Sequence, residues 1–68
     1  MNKEIYKECA KFRKSIGYTQ KQVAEELGYT VMNISMFENG RNNNMSILFW
    51  YIDHGFKIKG GENNDNNK

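Results

Sequence analysis

A chain of 68 residues forms at most one domain, and it buries only about 60% of the surface that the unfolded chain exposes. One cysteine excludes an internal disulfide, and Cys9 with His54 gives too few ligands for a structural zinc site. The net charge of +2 permits nucleic acid as a partner without requiring it. We therefore expect no metal and no cofactor.

An enzyme is not expected either, because no nucleophile with a base and an orienting group can be assembled from these residues. The amino terminus carries a charge every few residues and lacks the apolar segment of a secretory signal. The longest apolar run, 47–52, is too short to span a bilayer. These features predict a cytoplasmic protein without membrane contact, in which Cys9 is a small buried apolar residue.

The first predicted helix runs from Asn2 to Ser15, and Gly17 ends it. Its apolar residues recur at helical spacing and form one stripe: Ile5, Cys9, Phe12 and Ile16. A second face, called here the lysine ridge, consists of Lys3, Lys7, Lys11 and Lys14. This ridge is either an ordinary solvated surface or a face that contacts phosphates or a partner.

A second helix begins at Thr19, whose hydroxyl can cap free backbone amides, and Gln22 completes a Thr-x-x-Gln capping box. The residues predicted to point inward are Val23, Ala24 and Leu27. Gly28 ends this helix, and Thr30 starts the next one only two positions later. The connection is therefore a very tight turn.

In the third predicted helix, Ile34 and Phe37 are spaced so that they share one buried face. The opposite face is predicted to be the ligand-binding surface and consists of Val31, Met32, Ser35 and Met36. Asn39 and Gly40 end the helix, and the polar run 41–44 is predicted to be a loop.

A fourth helix is predicted to begin near Asn44 or Ser46 and to end near Asp53. The side expected to close the core carries Leu48, Tyr51 and Ile52. The flank with Phe49 and Trp50 then stays exposed unless another surface covers it. A buried strand is the alternative for this run, because periodicity cannot separate the two at this length.

The alternation Phe56, Lys57, Ile58, Lys59 is the only strand-like pattern, and it is predicted to be a short extended segment that folds back on the fourth helix or pairs with its copy in a dimer. Residues 60–68 contain no apolar side chain and are predicted to be a disordered tail. The folded domain is accordingly expected to span residues 1–59.

The segments T-Q-x-x-V-A-x-x-L-G and I-S-x-x-E-N-G stand at a characteristic spacing between Lys11 and Arg41. This order resembles the helix-turn-helix domain of the phage repressor and Cro type, the XRE family. The resemblance implies an all-α, four-helix, lambda-repressor-like domain with its helix-turn-helix unit at 19–40. It also implies a structural ion pair between Arg13 and Glu38, since a carboxylate that opposes the helix dipole gains from a guanidinium partner.

The same resemblance implies two sets of DNA contacts. The positions that would hold the DNA backbone are Thr19, Gln20, Thr30, Asn39 and Arg41, although the two threonines also suit plain helix capping. The positions that would face the bases are Val31, Met32, Asn33, Ser35 and Met36. This second set departs from the usual pattern, because its valine and methionines offer bases only apolar contact.

The function predicted from these features is a small sequence-selective DNA-binding transcription regulator of phage or mobile-element type, acting on double-stranded DNA as a homodimer. The candidates for the dimer interface are Phe49, Trp50, Phe56 and Ile58. The alternative is a helix-turn-helix scaffold that binds a protein, as an antirepressor or an inhibitor of a host system, through the apolar outward face of the third helix.

Overall fold

The computed structural model describes residues 4–58, which form four helices and no strand. The helices are α1 (Glu4–Ser15), α2 (Gln20–Leu27), α3 (Val31–Glu38) and α4 (Met45–Asp53). The predicted all-α fold is therefore confirmed, and the strand alternative for the run 47–52 is wrong. The predicted tail at 60–68 lies outside the described residues, as do Asn2, Lys3 and Lys59.

Local sequence sets the ends of α2 as predicted. The backbone amide of Gln22 donates to Thr19 Oγ1 at 3.0 Å, and the amide of Thr19 donates to Gln22 Oε1 at 2.8 Å, which makes the capping box reciprocal. Gly28 adopts a left-handed backbone with φ of 76°, a conformation that glycine reaches without penalty. The chain then turns within two residues into α3, whose cap is Thr30.

The core lies where α3 packs against α1 and α2, with α4 closing the open side. Its fully buried side chains are Cys9, Val23, Ile34, Phe37, Ile47 and Tyr51. The Phe37 ring contacts Tyr6 edge-on at 5.1 Å between ring centres and stacks on Tyr51 at 5.7 Å. An aromatic cluster thus joins α1, α3 and α4.

The buried stripe of α1 differs from the predicted one. Cys9 is buried as expected, and Ile5 and Phe12 are half-buried against the core. Tyr6 and Arg13 are buried as well, while Ile16 is exposed. Ile16 follows the last residue of α1, so it no longer continues the helical stripe. Arg13 is buried although it is charged, because Glu38 meets it inside the protein.

The buried face of α4 lies one residue earlier than predicted. Ile47, Trp50 and Tyr51 are buried, whereas Ile52 is exposed and Leu48 is half-buried. The indole of Trp50 is held inward because its Nε1 donates to Glu26 Oε1 on α2 at 2.8 Å. Trp50, predicted to share with Phe49 a flank that stays exposed unless another surface covers it, is therefore covered by the chain itself.

The segment after α4 folds back onto the protein without forming a strand within the described residues. Gly55, with φ of 114°, turns the chain so that the Phe56 amide donates to the Tyr51 carbonyl at 2.9 Å. The Phe56 ring then packs on Phe12 of α1, with 5.7 Å between ring centres. Phe56 is consequently part of the core, and Ile58 remains exposed.

Candidate nucleic-acid interface

The outward face of α3 is largely apolar and open to solvent. The exposed fraction is 44% for Val31, 68% for Met32 and 38% for Met36, and Ser35 between them is half-buried. With the residues just after the helix, this face borders a shallow groove lined by Met32, Ser35, Met36, Asn39 and Arg41. The structure thus brings three of the five predicted base-facing residues together with two of the predicted backbone-contacting residues.

Asn33 has a structural task that the sequence reasoning missed. Its Oδ1 accepts from the Thr30 amide at 3.1 Å, and its own amide donates to Thr30 Oγ1 at 3.2 Å. These bonds form a second capping box, in which asparagine takes the position of glutamine in α2. Asn33 was predicted to face the bases, yet its side-chain oxygen serves the start of α3.

Glu38, the last residue of α3, accepts hydrogen bonds from one side chain on each of the other three helices. Arg13 donates to it twice, from Nε to Oε2 at 2.7 Å and from Nη2 to Oε1 at 3.0 Å. Gln20 Nε2 donates to Oε1 at 3.0 Å, and the Tyr51 hydroxyl donates to Oε2. We call these four residues the Glu38 hub, which fixes the position of α3 relative to α1, α2 and α4.

The charged state of the hub follows from its hydrogen bonds. Burial opposes ionisation of Glu38, but the bonds from Arg13, Tyr51 and Gln20 outweigh it, so the pKa of Glu38 lies below its ordinary value. The same pairing raises the pKa of Arg13, and burial together with the bond to Glu38 raises the pKa of Tyr51. The hub therefore holds an ionised carboxylate and an ionised guanidinium out of water.

The predicted backbone-contacting residues lie at the starts of α2 and α3 and just after the end of α3, where Asn39 and Arg41 form one rim of the α3 face. Thr19 and Thr30 cap α2 and α3, and Gln20 sits at the first position of α2 with its amide on Glu38. Asn39 Nδ2 donates to the Ser35 carbonyl at 2.8 Å. The side chain of Arg41 is exposed and forms no ion pair within residues 4–58.

The lysine ridge of α1 runs towards this rim. Lys7, Lys11 and Lys14 border one groove together with Gln20 and Asn39. Lys11 Nζ lies 3.9 Å from Glu8 Oε2 in an exposed pair, which is too weak and too open to neutralise the ridge. Cationic side chains and predicted phosphate contacts therefore share one surface.

The predicted dimer candidates separate into two groups. Trp50 and Phe56, predicted as dimer contacts, lie in the core with exposed fractions of 5% and 8%, so they offer a second copy little surface. Phe49 is 54% exposed, and Ile58 is exposed as well. The structure adds Met45 and Ile52, which share a helical face with Phe49.

The sequence did not predict that Tyr51 and Gln20 are hydrogen-bond partners of Glu38. Tyr51 was assigned to the core without a partner for its hydroxyl, although a buried tyrosine generally needs one. Gln20 was assigned only to DNA. A tyrosine inside an apolar run was the available signal, but the sequence does not say which carboxylate it meets.

Residues 4–58 contain neither a candidate metal-binding cluster nor a membrane-spanning helix. No cluster of three or more histidine, cysteine or acidic side chains among them could hold a metal ion. None of their helices is long and apolar enough to cross a bilayer. Cys9 is enclosed in the core, and burial raises the pKa of its thiol to about 12.

Two capped helices joined by a tight glycine turn, with the second helix facing outward, define a helix-turn-helix domain. The helix-turn-helix family model matches residues 10–46, more than half of the 68-residue chain. The chain therefore belongs to the helix-turn-helix family of XRE type, and DNA binding in transcription regulation is the activity that this membership implies. No curated protein and no solved structure gives a significant match.

Proposed function

We propose that this protein is a transcription regulator of phage or mobile-element type that binds double-stranded DNA with α3 in the major groove. The observation that carries the proposal is the orientation of α3. Ile34, Phe37 and the Glu38 hub fix its inner side, while its outer side stays exposed. A helix presented in this way fits the major groove, which is about 12 Å wide.

Groups that suit DNA phosphates surround this face, which supports the same proposal. Gln20 lies at the start of α2, and Asn39 and Arg41 follow the end of α3. The lysine ridge extends the cationic surface along α1. Amides, hydroxyls, cations and helix amino termini all donate hydrogen bonds to phosphate oxygens, and such contacts set the orientation of the protein on the duplex.

A homodimer is the second part of the proposal. Met45, Phe49 and Ile52 stand four and three positions apart and are all exposed, so they form one apolar stripe along α4. We call it the α4 stripe. Aromatic side chains are frequent anchors of protein interfaces. Two copies joined through this stripe would present two α3 helices to half-sites about 34 Å apart.

DNA binding is tested by the retention of a random-sequence duplex pool at increasing salt. Affinity is expected to fall steeply between about 50 and 200 mM salt, because each phosphate contact releases counterions. Arg41→Ala should weaken binding to all sequences alike, whereas Lys57→Ala removes an equal charge from the segment after α4, away from the α3 face, and should weaken binding less. Affinity that stays flat with salt would argue strongly against the proposal.

The dimer is tested separately, by mass-resolved size exclusion of the full chain. Phe49→Asp is expected to convert a dimer into a monomer, since a carboxylate in an apolar contact is strongly disfavoured. Ile16→Asp changes an exposed apolar residue on α1 and should leave the mass unchanged. A wild-type protein that is monomeric at all concentrations would remove this part of the proposal.

A protein-binding scaffold is the second candidate function, favoured by the adaptable apolar surface of Val31, Met32 and Met36. The double variant Met32→Asp with Met36→Asp discriminates between the two functions. Loss of a co-purifying protein together with little retention on heparin or random DNA would favour the scaffold. Loss of DNA retention alone would favour the DNA-binding regulator.

A further inference from the structure

The outward face of α3 offers bases almost no side chain capable of paired hydrogen bonds. Val31, Met32 and Met36 are apolar. The side-chain oxygen of Asn33 is engaged in the capping box with Thr30, so Asn33 cannot make a paired contact with a base, and Ser35 offers only a hydroxyl. Hydrogen bonding to base edges can therefore supply little of the discrimination between sequences.

The charge beside the same face suits an anionic ligand such as the DNA backbone. The groove that borders it is lined by Met32, Ser35, Met36, Asn39 and Arg41, among which the only charge is positive. Its apolar centre and its cationic rim match a major groove, where methyl groups project between rows of phosphates. An apolar side chain in that groove can recognise one base substituent, the methyl group on C5 of a pyrimidine.

We propose that α3 selects DNA by apolar contact of Met32 and Met36 with pyrimidine 5-methyl groups. This inference rests on the proposed function, since it names what the DNA-binding face reads. Thymine and 5-methylcytosine both carry the methyl group at that position. The methyl group is the shared chemistry, and the two sources are separated by experiment.

The test begins with duplexes selected from a random pool by the full-length protein. Each thymine of the selected site is then replaced by uracil, which removes the methyl group and leaves every hydrogen-bonding group of the base in place. At contacted positions the affinity is expected to fall about four-fold for each methyl group, as for the loss of one buried carbon. Thymines outside the site should tolerate the same replacement.

The second arm separates the two sources of the methyl group. A contacted thymine-adenine pair is replaced by cytosine-guanine, with and without the 5-methyl group on cytosine. Tighter binding of the methylated duplex is expected, because the methyl group then occupies the same place in the groove. Equal affinity for the methylated and unmethylated duplexes, together with equal affinity for thymine and uracil, would overturn the inference.

Substitutions on α3 test whether Met32 and Met36 cause the preference for thymine over uracil. Met32→Ala and Met36→Ala should reduce the preference for thymine over uracil towards unity and leave the salt dependence unchanged, because phosphate contacts are untouched. Ile16→Ala shortens an apolar side chain as exposed as Met36, at 38%, and should keep the wild-type preference. A protein that retains no duplex at all would overturn the proposed function, whereas one that binds DNA but ignores the methyl group would overturn only this inference.

Discussion

The two sides of α3, a helix of eight residues, differ in how many contacts they make with the rest of the chain. On the inner side, Ile34 and Phe37 are enclosed, and each carboxylate oxygen of Glu38 has hydrogen-bond donors. On the outer side, Met32 is the most exposed large apolar residue of the described chain. The inner side therefore holds the fold together, and the outer side is left for a ligand.

The sequence of α3 has little amphipathic character because each of its two sides mixes polar and apolar residues. An ordinary surface helix pairs an apolar inner face with a polar outer one. Here the inner face contains the charged Glu38, and the outer face contains Val31, Met32 and Met36. Polarity alone therefore distinguishes the two faces poorly, and the partners of Glu38 on the neighbouring helices stabilise the observed orientation.

Among the substitutions considered, removal of the Glu38 carboxylate is expected to lower the free energy of unfolding most. Glu38→Ala leaves the Arg13 guanidinium buried without its partner, which is expected to cost about 3–5 kcal/mol in the free energy of unfolding. A small domain of marginal stability would then be mostly unfolded. Urea titration followed by Trp50 fluorescence measures the loss. Glu25→Ala removes an exposed carboxylate on α2 and should cost less than about 0.5 kcal/mol.

A smaller effect is expected when one donor to the hub is removed. Tyr51→Phe keeps the ring stacked on Phe37 but deletes the hydroxyl that donates to Glu38. The expected loss is about 1–3 kcal/mol, because a buried carboxylate loses one hydrogen bond. Tyr29→Phe removes the hydroxyl of a half-buried tyrosine that accepts from Asn44 Nδ2 at 3.4 Å, and it should cost less. Equal losses would mean that Glu38 does not depend on Tyr51.

The pH dependence of stability is the third way to test the hub. The pKa of Glu38 is lower in the folded protein than its ordinary value of 4.5, so the folded state binds fewer protons than the unfolded state. Its contribution to stability is therefore present above pH 4.5 and is lost as the pH falls towards the folded-state pKa. Denaturation curves from neutral pH down through this range should show the loss. The variant Glu38→Gln should lack this component, and an unchanged pH profile would contradict the assignment.

The same comparison explains what could be predicted from the sequence. Helix starts and stops were predictable because their chemistry is local, as in the capping box of Thr19 with Gln22 and the turn at Gly28. Contacts between helices were less predictable. The buried face of α4 was misplaced by one residue, because the bond between Trp50 and Glu26 joins residues far apart in the chain.

For the candidate site, the sequence predicted where the residues lie but not which groups their side chains contact. The spacing of the residues identified the outward side of α3, but several polar side chains could bind either DNA or another part of the chain. Asn33 suits a base or a helix cap, and Gln20 suits a phosphate or a neighbouring carboxylate; in both cases the structure shows a bond within the chain. A sequence without its fold does not reveal which of two chemically equivalent partners lies closer.

Met32→Ala is expected to change stability least, and it tests directly whether the outer side of α3 is free of a role in folding. Its side chain is 68% exposed, so truncation should change the free energy of unfolding by less than about 0.5 kcal/mol. Ile34→Ala, two residues along the same helix, should cost about 2–5 kcal/mol because it opens a cavity in the core. If Met32→Ala weakens DNA retention while its urea midpoint stays at the wild-type value, the outer side of α3 serves binding and not folding. A large loss of stability would instead mean that Met32 packs on the chain, and the separation of the two sides would fail.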